Sequence, residues 1–277
     1  MKVDRLIVLV LHSSLRDIGG VRAEDLRDGY ALAAKFQKKN GKAEETSWEK
    51  VANGAGFELA GHEAGQIGKH NALVVECLDL QPKATLEDVA AFLKGAKTWG
   101  MYILMHGQNG LPTPFEHAKT AGSPDHVAAL VHALCPKDVA LLKVNIVACT
   151  LARKPHDGPG GKAIKKERGV VEKAGSWAQA FCKSLKRTET MVAAYSEAVY
   201  VVRENNPEFK TFGVDGAEPP KGTTLGQKAV ERGLKGNSDI QAVKAHRTEV
   251  KKVFQYGGGL IKSVHPVSLE QYKGNVG

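Results

Sequence analysis

A histidine and a cysteine stand at the ends of two apolar runs. MYILMHGQNG (101–110) is apolar until it reaches His106-Gly107, and VNIVACTLAR (144–153) is apolar until it reaches Ala148-Cys149. A thiol attacking an amide needs a nearby imidazole to move the proton and N–H donors to meet the developing oxyanion. Gly107 has no side chain, so a substrate can approach the backbone there, and its N–H is one such donor. The N–H of Cys149 is the natural second. Each residue also has an ordinary reading. A lone histidine at a strand end is commonly a packed or surface residue, and a lone cysteine after a buried strand is commonly an inert small hydrophobe.

The elements that must position the pair can be read from hydrophobic spacing. Strand-like runs occupy 6–11, 72–80, 101–105, 141–148 and 190–202. Several are continuous and aliphatic, as in strands covered on both faces. Between them lie helical patterns. In 22–42 the residues Leu26, Tyr30, Ala33 and Phe36 recur at helical spacing, with Gly41 as a stop. The segment 85–97 opens on Thr85 with Asp88 three residues later, close to a capping box. The segment 123–135 opens on Ser123-Pro124, and 175–187 opens on a serine cap and ends basic. Strands alternating with amphipathic helices predict an α/β fold with a mainly parallel sheet. Sites in such sheets sit at the carboxyl ends of strands. His106 and Cys149 both fall there, and a right-handed crossover makes their strands potential neighbours.

Strand–His-Gly, helix, strand–Ala-Cys, helix, strand resembles the caspase-like (clan CD) cysteine peptidases. The pattern is most similar to the self-cleaving protease domains of RTX-type toxins and to clostripain- and gingipain-like enzymes. It runs from YILMHGQNG through SPDHVAALVHAL, VNIVACTLA and SWAQAFCKSL to MVAAYSEAVYVV, about residues 85–202. The resemblance implies a caspase-like three-layer sandwich. It implies Cys149 as nucleophile, and His106 as the group that polarises the scissile amide or protonates the leaving amine. Gly107 and Cys149 N–H would face the carbonyl, no third acidic residue is required, and no metal or organic cofactor is implied. The strand after the catalytic helix lines the substrate pocket in these enzymes, which nominates Tyr195, Ser196 and Glu197. Alternate strand residues point to opposite faces, so the three cannot all be pocket walls. His12, after the first strand, is a further pocket candidate. The caspase signature has Gln before Ala-Cys and Gly two residues after the Cys. This chain has Val147 and Leu151 at those positions, so aspartate specificity does not follow.

The same residues admit other readings. A His-Gly loop also forms the oxyanion hole of α/β-hydrolases, but that fold needs a G-x-S-x-G elbow. The nearest stretch, AYSEA (194–198), lacks both glycines. His126 and His132 fall on a helical pattern. Cys135 and Cys182 fall in helical patterns too, and are expected in the core. The basic segment 151–173 reads plainly as a solvated surface loop. Two functional alternatives are an activation loop cut during self-processing, and a site for an anionic activator; the resembling toxin domains are switched on by inositol hexakisphosphate.

The 277 residues, 42% hydrophobic and 25% charged, suit one large domain or one domain with a small appendage. The expected division is a catalytic domain over 1–215 and a C-terminal helical extension and tail over 216–277. Helical patterns are expected near 226–235 and 239–254, with 208–226 as loop and a glycine hinge and loose tail from 255 on. The net charge of +9 permits an acidic partner, an anionic small molecule or a membrane surface, or serves solubility alone, and no nucleic-acid motif accompanies it. The four cysteines show no CxxC spacing, so neither zinc nor a disulfide framework is expected. No apolar run reaches membrane-span length, and the N-terminus lacks a signal-peptide cleavage pattern. A cytoplasmic location, or export without a cleavable signal as an effector, is the corresponding expectation. The functional expectation is a cysteine endopeptidase acting on protein or peptide through a thioester. Its rival is a caspase-like binding or scaffold module with both residues vestigial.

Overall fold

The computed structural model describes residues 3–12, 25–26, 28–30, 32–33, 36, 71–108, 111–112, 122–136, 138–148, 151–152, 175–196, 198–201, 211–214, 251–257 and 260–263. The first strand, β1 (Arg5–His12), shows why this chain forms a layered fold. Strand side chains alternate between faces. Ile7, Leu9 and Leu11 enter one buried core, and Leu6, Val8 and Val10 enter another. A strand this apolar on both sides is stable only if both sides are covered.

The sheet provides that setting. Its centre is five parallel strands in the order β2 (Ala72–Leu78), β1, β4 (Thr98–Leu104), β7 (Ala140–Val147) and β8 (Met191–Tyr195). Antiparallel strands flank it: β3 (Gln81–Pro82) beside β2, and β11 (Lys251–Gly257) then β12 (Leu260–Ser263) beside β8. Two small ladders, β5 (Gly107–Gln108) with β6 (Leu111–Pro112) and β9 (Ala198–Val201) with β10 (Thr211–Val214), lie apart from it. On one face pack the helices α1 (Leu86–Leu93), α2 (Pro124–Ala133) and α3 (Trp177–Leu185), through Val89, Phe92, Val127, Val131 and Phe181. On the other face lie the helical positions within 25–36, through Leu26, Tyr30, Ala33 and Phe36. The expected α/β three-layer sandwich with a mainly parallel sheet is therefore what the chain adopts.

Local signals set the helix starts. Thr85 and Asp88 form a reciprocal capping box, as do Ser176 and Gln179, and Ser123 caps α2 with Pro124 in its first turn. The C-terminal expectations need correction. Residues 251–254 are strand rather than helix, because the open edge of β8 offers unpaired backbone groups. Val253 and Phe254 then bury on opposite faces. Of the hinge and tail expected from 255 on, 255–257 and 260–263 are antiparallel strand, and the rest lies outside the described residues. The loop expected at 208–226 contains β10, paired with β9, and the single strand expected over 190–202 is divided between β8 and β9. Among the described residues, no helix is long and apolar enough to cross a membrane.

Candidate active site

The chain leaves β1 for β2 on one side and returns past β1 to reach β4 on the other. Such a reversal opens a crevice at the carboxyl ends of the two diverging strands. In register, Val10 pairs with Leu104, and Leu104 pairs with Val147. His12 and His106 each follow two residues after a member of that row. So does Cys149 in the sequence, although Cys149 itself lies outside the described residues. The backbone around it is anchored on both sides. Met105 N–H donates to Val147 O at 3.3 Å, Ala152 N–H to Tyr195 O at 2.9 Å, and Ala178 N–H to Leu151 O at 3.0 Å.

His106 stands at the rim with its side chain 46% exposed, and its Nε2 lies 2.9 Å from Asp25 Oδ1. The other oxygen of that carboxylate, Oδ2, is 3.5 Å from His12 Nδ1. Asp25 comes from the helical segment over the second core, and two features of that segment bring it down. Asp25, Gly29, Leu32 and Phe36 form a buried stripe at helical spacing. Gly29 lacks the Cβ that would sit 2.7 Å from Val10 Cγ2, so the helix approaches β1 closely. Burial pushes the Asp25 carboxyl up, but hydrogen bonds from His106 and His12, with their charges, outweigh it and hold the group below its ordinary value.

The polar chain continues inward. His12, itself buried, places Nε2 3.9 Å from Glu76 Oε1, and that nitrogen makes no hydrogen bond. Glu76 is fully buried in β2, and Lys83 Nζ reaches its Oε2 at 2.5 Å. A tight turn delivers the lysine. Asp79 and Leu80 both take positive φ, 49° and 62°, an uncommon conformation for leucine. Two residues with φ > 0 suit a hairpin connection. The hairpin lays β3 back along β2 and sets Lys83 N–H on Glu76 O at 2.9 Å. Burial and the Glu76 charge together push the Tyr30 hydroxyl up to about 12. Among the described residues, no group of three or more His, Cys, Asp or Glu side chains is arranged to hold a metal ion.

Gly107 opens β5 directly after His106. Tyr195 is fully buried in the second core, with Lys251 Nζ 5.6 Å from its ring centroid, so it is a core residue and forms no open wall. Ser196 is half-buried, and Glu197 lies outside the described residues. The three described cysteines are buried free thiols. Burial pushes Cys77 and Cys182 up to about 12 and Cys135 up to about 11. Strand-end position alone does not point to Asp25, Glu76 or Lys83; of these Glu76 carries the clearest signal, as an acid inside a strand meant to be covered on both faces.

No family model matches the chain, and no curated protein matches it. Among solved structures, an inactive zymogen C11 protease from Parabacteroides distasonis matches at 10% identity and a TM-score of 0.33. The match takes in 92% of this chain, which spans 62% of the length of that one. At that score the likeness is too distant to transfer a residue or an activity.

Proposed function

We propose that the chain is a cysteine endopeptidase of caspase-like type, with Cys149 as nucleophile and His106 as its acid–base partner. The observation that carries this reading is the register of the central strands. Val10, Leu104 and Val147 lie side by side, and His12, His106 and Cys149 each follow two residues later. An exposed imidazole held by a buried carboxylate supports it. So does the state of the remaining thiols, which burial holds well above the range of a useful nucleophile.

The chemistry follows from those groups. The Cys149 sulfur attacks the scissile carbonyl carbon, and the thiol proton passes to His106. The oxyanion meets the N–H groups of Gly107 and Cys149. When the C–N bond breaks, His106 gives the proton to the departing amine, leaving a thioester. Water then attacks the thioester, one proton returns to sulfur, and the carboxylic acid leaves. The protein or peptide substrate would approach over the carboxyl ends of β1, β4 and β7. In this reading Ser196 and Glu197 are the pocket candidates beyond β8, and the basic segment 151–173 is the place for self-processing or for an anionic activator.

The test is intact mass after treatment with a panel of acyloxymethyl-ketone peptides, on wild type and Cys149→Ala. A single adduct on wild type, mapped to Cys149 and absent from the variant, is the expected result. No adduct with any peptide, with and without calcium or inositol hexakisphosphate, would refute the peptidase and favour a binding module.

A further inference from the structure

We propose that Asp25 is the positioning residue of His106, and that His12 braces the carboxylate from behind. The inference rests on the peptidase reading for its catalytic consequence, though not for its geometry. Asp25 uses both oxygens: Oδ1 at 2.9 Å from His106 Nε2, and Oδ2 at 3.5 Å from His12 Nδ1. An ionised carboxylate only accepts hydrogen bonds. The histidine nitrogen that faces each oxygen must therefore carry the proton. That fixes His106 as the Nε2–H tautomer and leaves its proton-exchanging lone pair on Nδ1. His12 is fixed in the opposite sense, with Nδ1–H toward Asp25.

The surroundings make this constraint strong. The Asp25 side chain is only 11% exposed and His12 only 6%, so water competes little for either contact. The carboxylate cannot swing away, because a rotation that releases His106 also releases His12. His12 in turn is walled in by Glu76, which Lys83 neutralises from the β3 hairpin. The exposed imidazole is thus backed by a chain of polar side chains running from the rim to the sheet edge. A negative group behind the ring also favours the imidazolium that forms when His106 takes the thiol proton. Asp25 touches no substrate, and acts only through His106.

The tautomer is measured directly. Long-range proton–nitrogen correlation spectra of the full chain, labelled with nitrogen-15 in histidine, report it, and His106 is assigned by its loss in His106→Gln. The neutral His106 ring is expected as Nε2–H in wild type and as a mixture in Asp25→Asn, whose amide nitrogen must turn toward one of the two histidines. His106 found as Nδ1–H in wild type overturns the proposal, and this measurement needs no variant of Asp25 to fold. His12→Gln provides the second variant, and there His106 is expected to lose part of its tautomer preference. In parallel, ketone labelling of Cys149 should slow about 100-fold or more in Asp25→Asn. An unchanged labelling rate overturns the positioning role alone. A wild type that takes no label while His106 is held as Nε2–H overturns the peptidase reading and the catalytic consequence with it.

Discussion

Removing the charge of Lys83 should destabilise the protein by an amount that depends on pH. The Glu76 carboxylate is fully buried, and the Lys83 side chain, 38% exposed, meets it at 2.5 Å. Two unit charges at that separation attract by about 6–7 kcal/mol at an effective dielectric constant of about 20. That figure is not the expected loss, because a buried carboxylate deprived of its cation can take up a proton. For an ordinary glutamate pKa of about 4.3 and about 1.4 kcal/mol per pH unit, neutralisation at pH 7 costs at most about 3.7 kcal/mol. At pH 5 the same bound is about 1 kcal/mol. The lower limit decides, so Lys83→Met should lose about 2–3.5 kcal/mol at pH 7 and about 1 kcal/mol or less at pH 5. The sign is that of a carboxyl raised on folding: the folded variant binds the extra proton, and its deficit grows as pH rises above the unfolded value. The neighbours do not reverse it. Tyr30, pushed up to about 12, and Cys77, likewise about 12, stay neutral at both pH values. His12, 3.9 Å from the carboxylate, is the same in wild type and variant. Asp25 lies on the far side of His12. Urea denaturation of the full chain followed by circular dichroism, at pH 7 and pH 5, gives the two differences. Equal losses at both pH values would refute the reasoning.

Three further outcomes follow from the same packing. With a thiol-exchange dye at pH 8, the native chain should label quickly at Cys149 and not at Cys77, Cys135 or Cys182, whose thiols burial has pushed up to about 11–12; rapid labelling of native Cys149→Ala would contradict this. Thr190→Val removes a buried hydroxyl that donates to Leu141 O at 2.6 Å, so the urea midpoint should fall by the equivalent of about 1 kcal/mol, and an unchanged midpoint would count against that bond. Gly29→Ala would gain about 1 kcal/mol in an exposed helix. Here the new Cβ would lie 2.7 Å from Val10 Cγ2 in a packed core, where overpacking costs about 1–3 kcal/mol, so stability should fall, and a raised midpoint would show that the helix can back away from β1.

Much of the fold could be read from the chain because its signals are local. The runs at 6–11 and 101–105 are apolar on both faces, and both became central strands. Thr85, Ser123 and Ser176 capped the helices they were expected to cap. The failures came where a distant partner decided. Residues 251–254 carry a short apolar pattern compatible with helix or strand, and only the open edge of β8, far away in sequence, selects the strand. The same holds for Thr211–Val214, which is a strand because β9 is there to pair with it.

The site divides along the same line. The position of His106 and Gly107 just after a strand was legible because a strand end is a local event. The carboxylate behind His106 was harder to see, since 24–28 holds three acids and helical spacing alone does not say which one turns inward. The stripe Asp25, Gly29, Leu32, Phe36 contained the answer, because the glycine marks where the helix can press against β1 and an acid one turn before it is carried into the crevice. Glu76 gave an earlier warning. A charge in the middle of ALVVECL must be paired once the strand is covered, and its partners come from both directions: Lys83 by the turn at Asp79-Leu80, His12 by the parallel register of β1 with β2. A buried acid in a central strand is therefore more than a packing anomaly. In this chain it is the inner end of the polar path whose outer end is His106, so changes at Glu76 or Lys83 can reach the rim through His12 and Asp25.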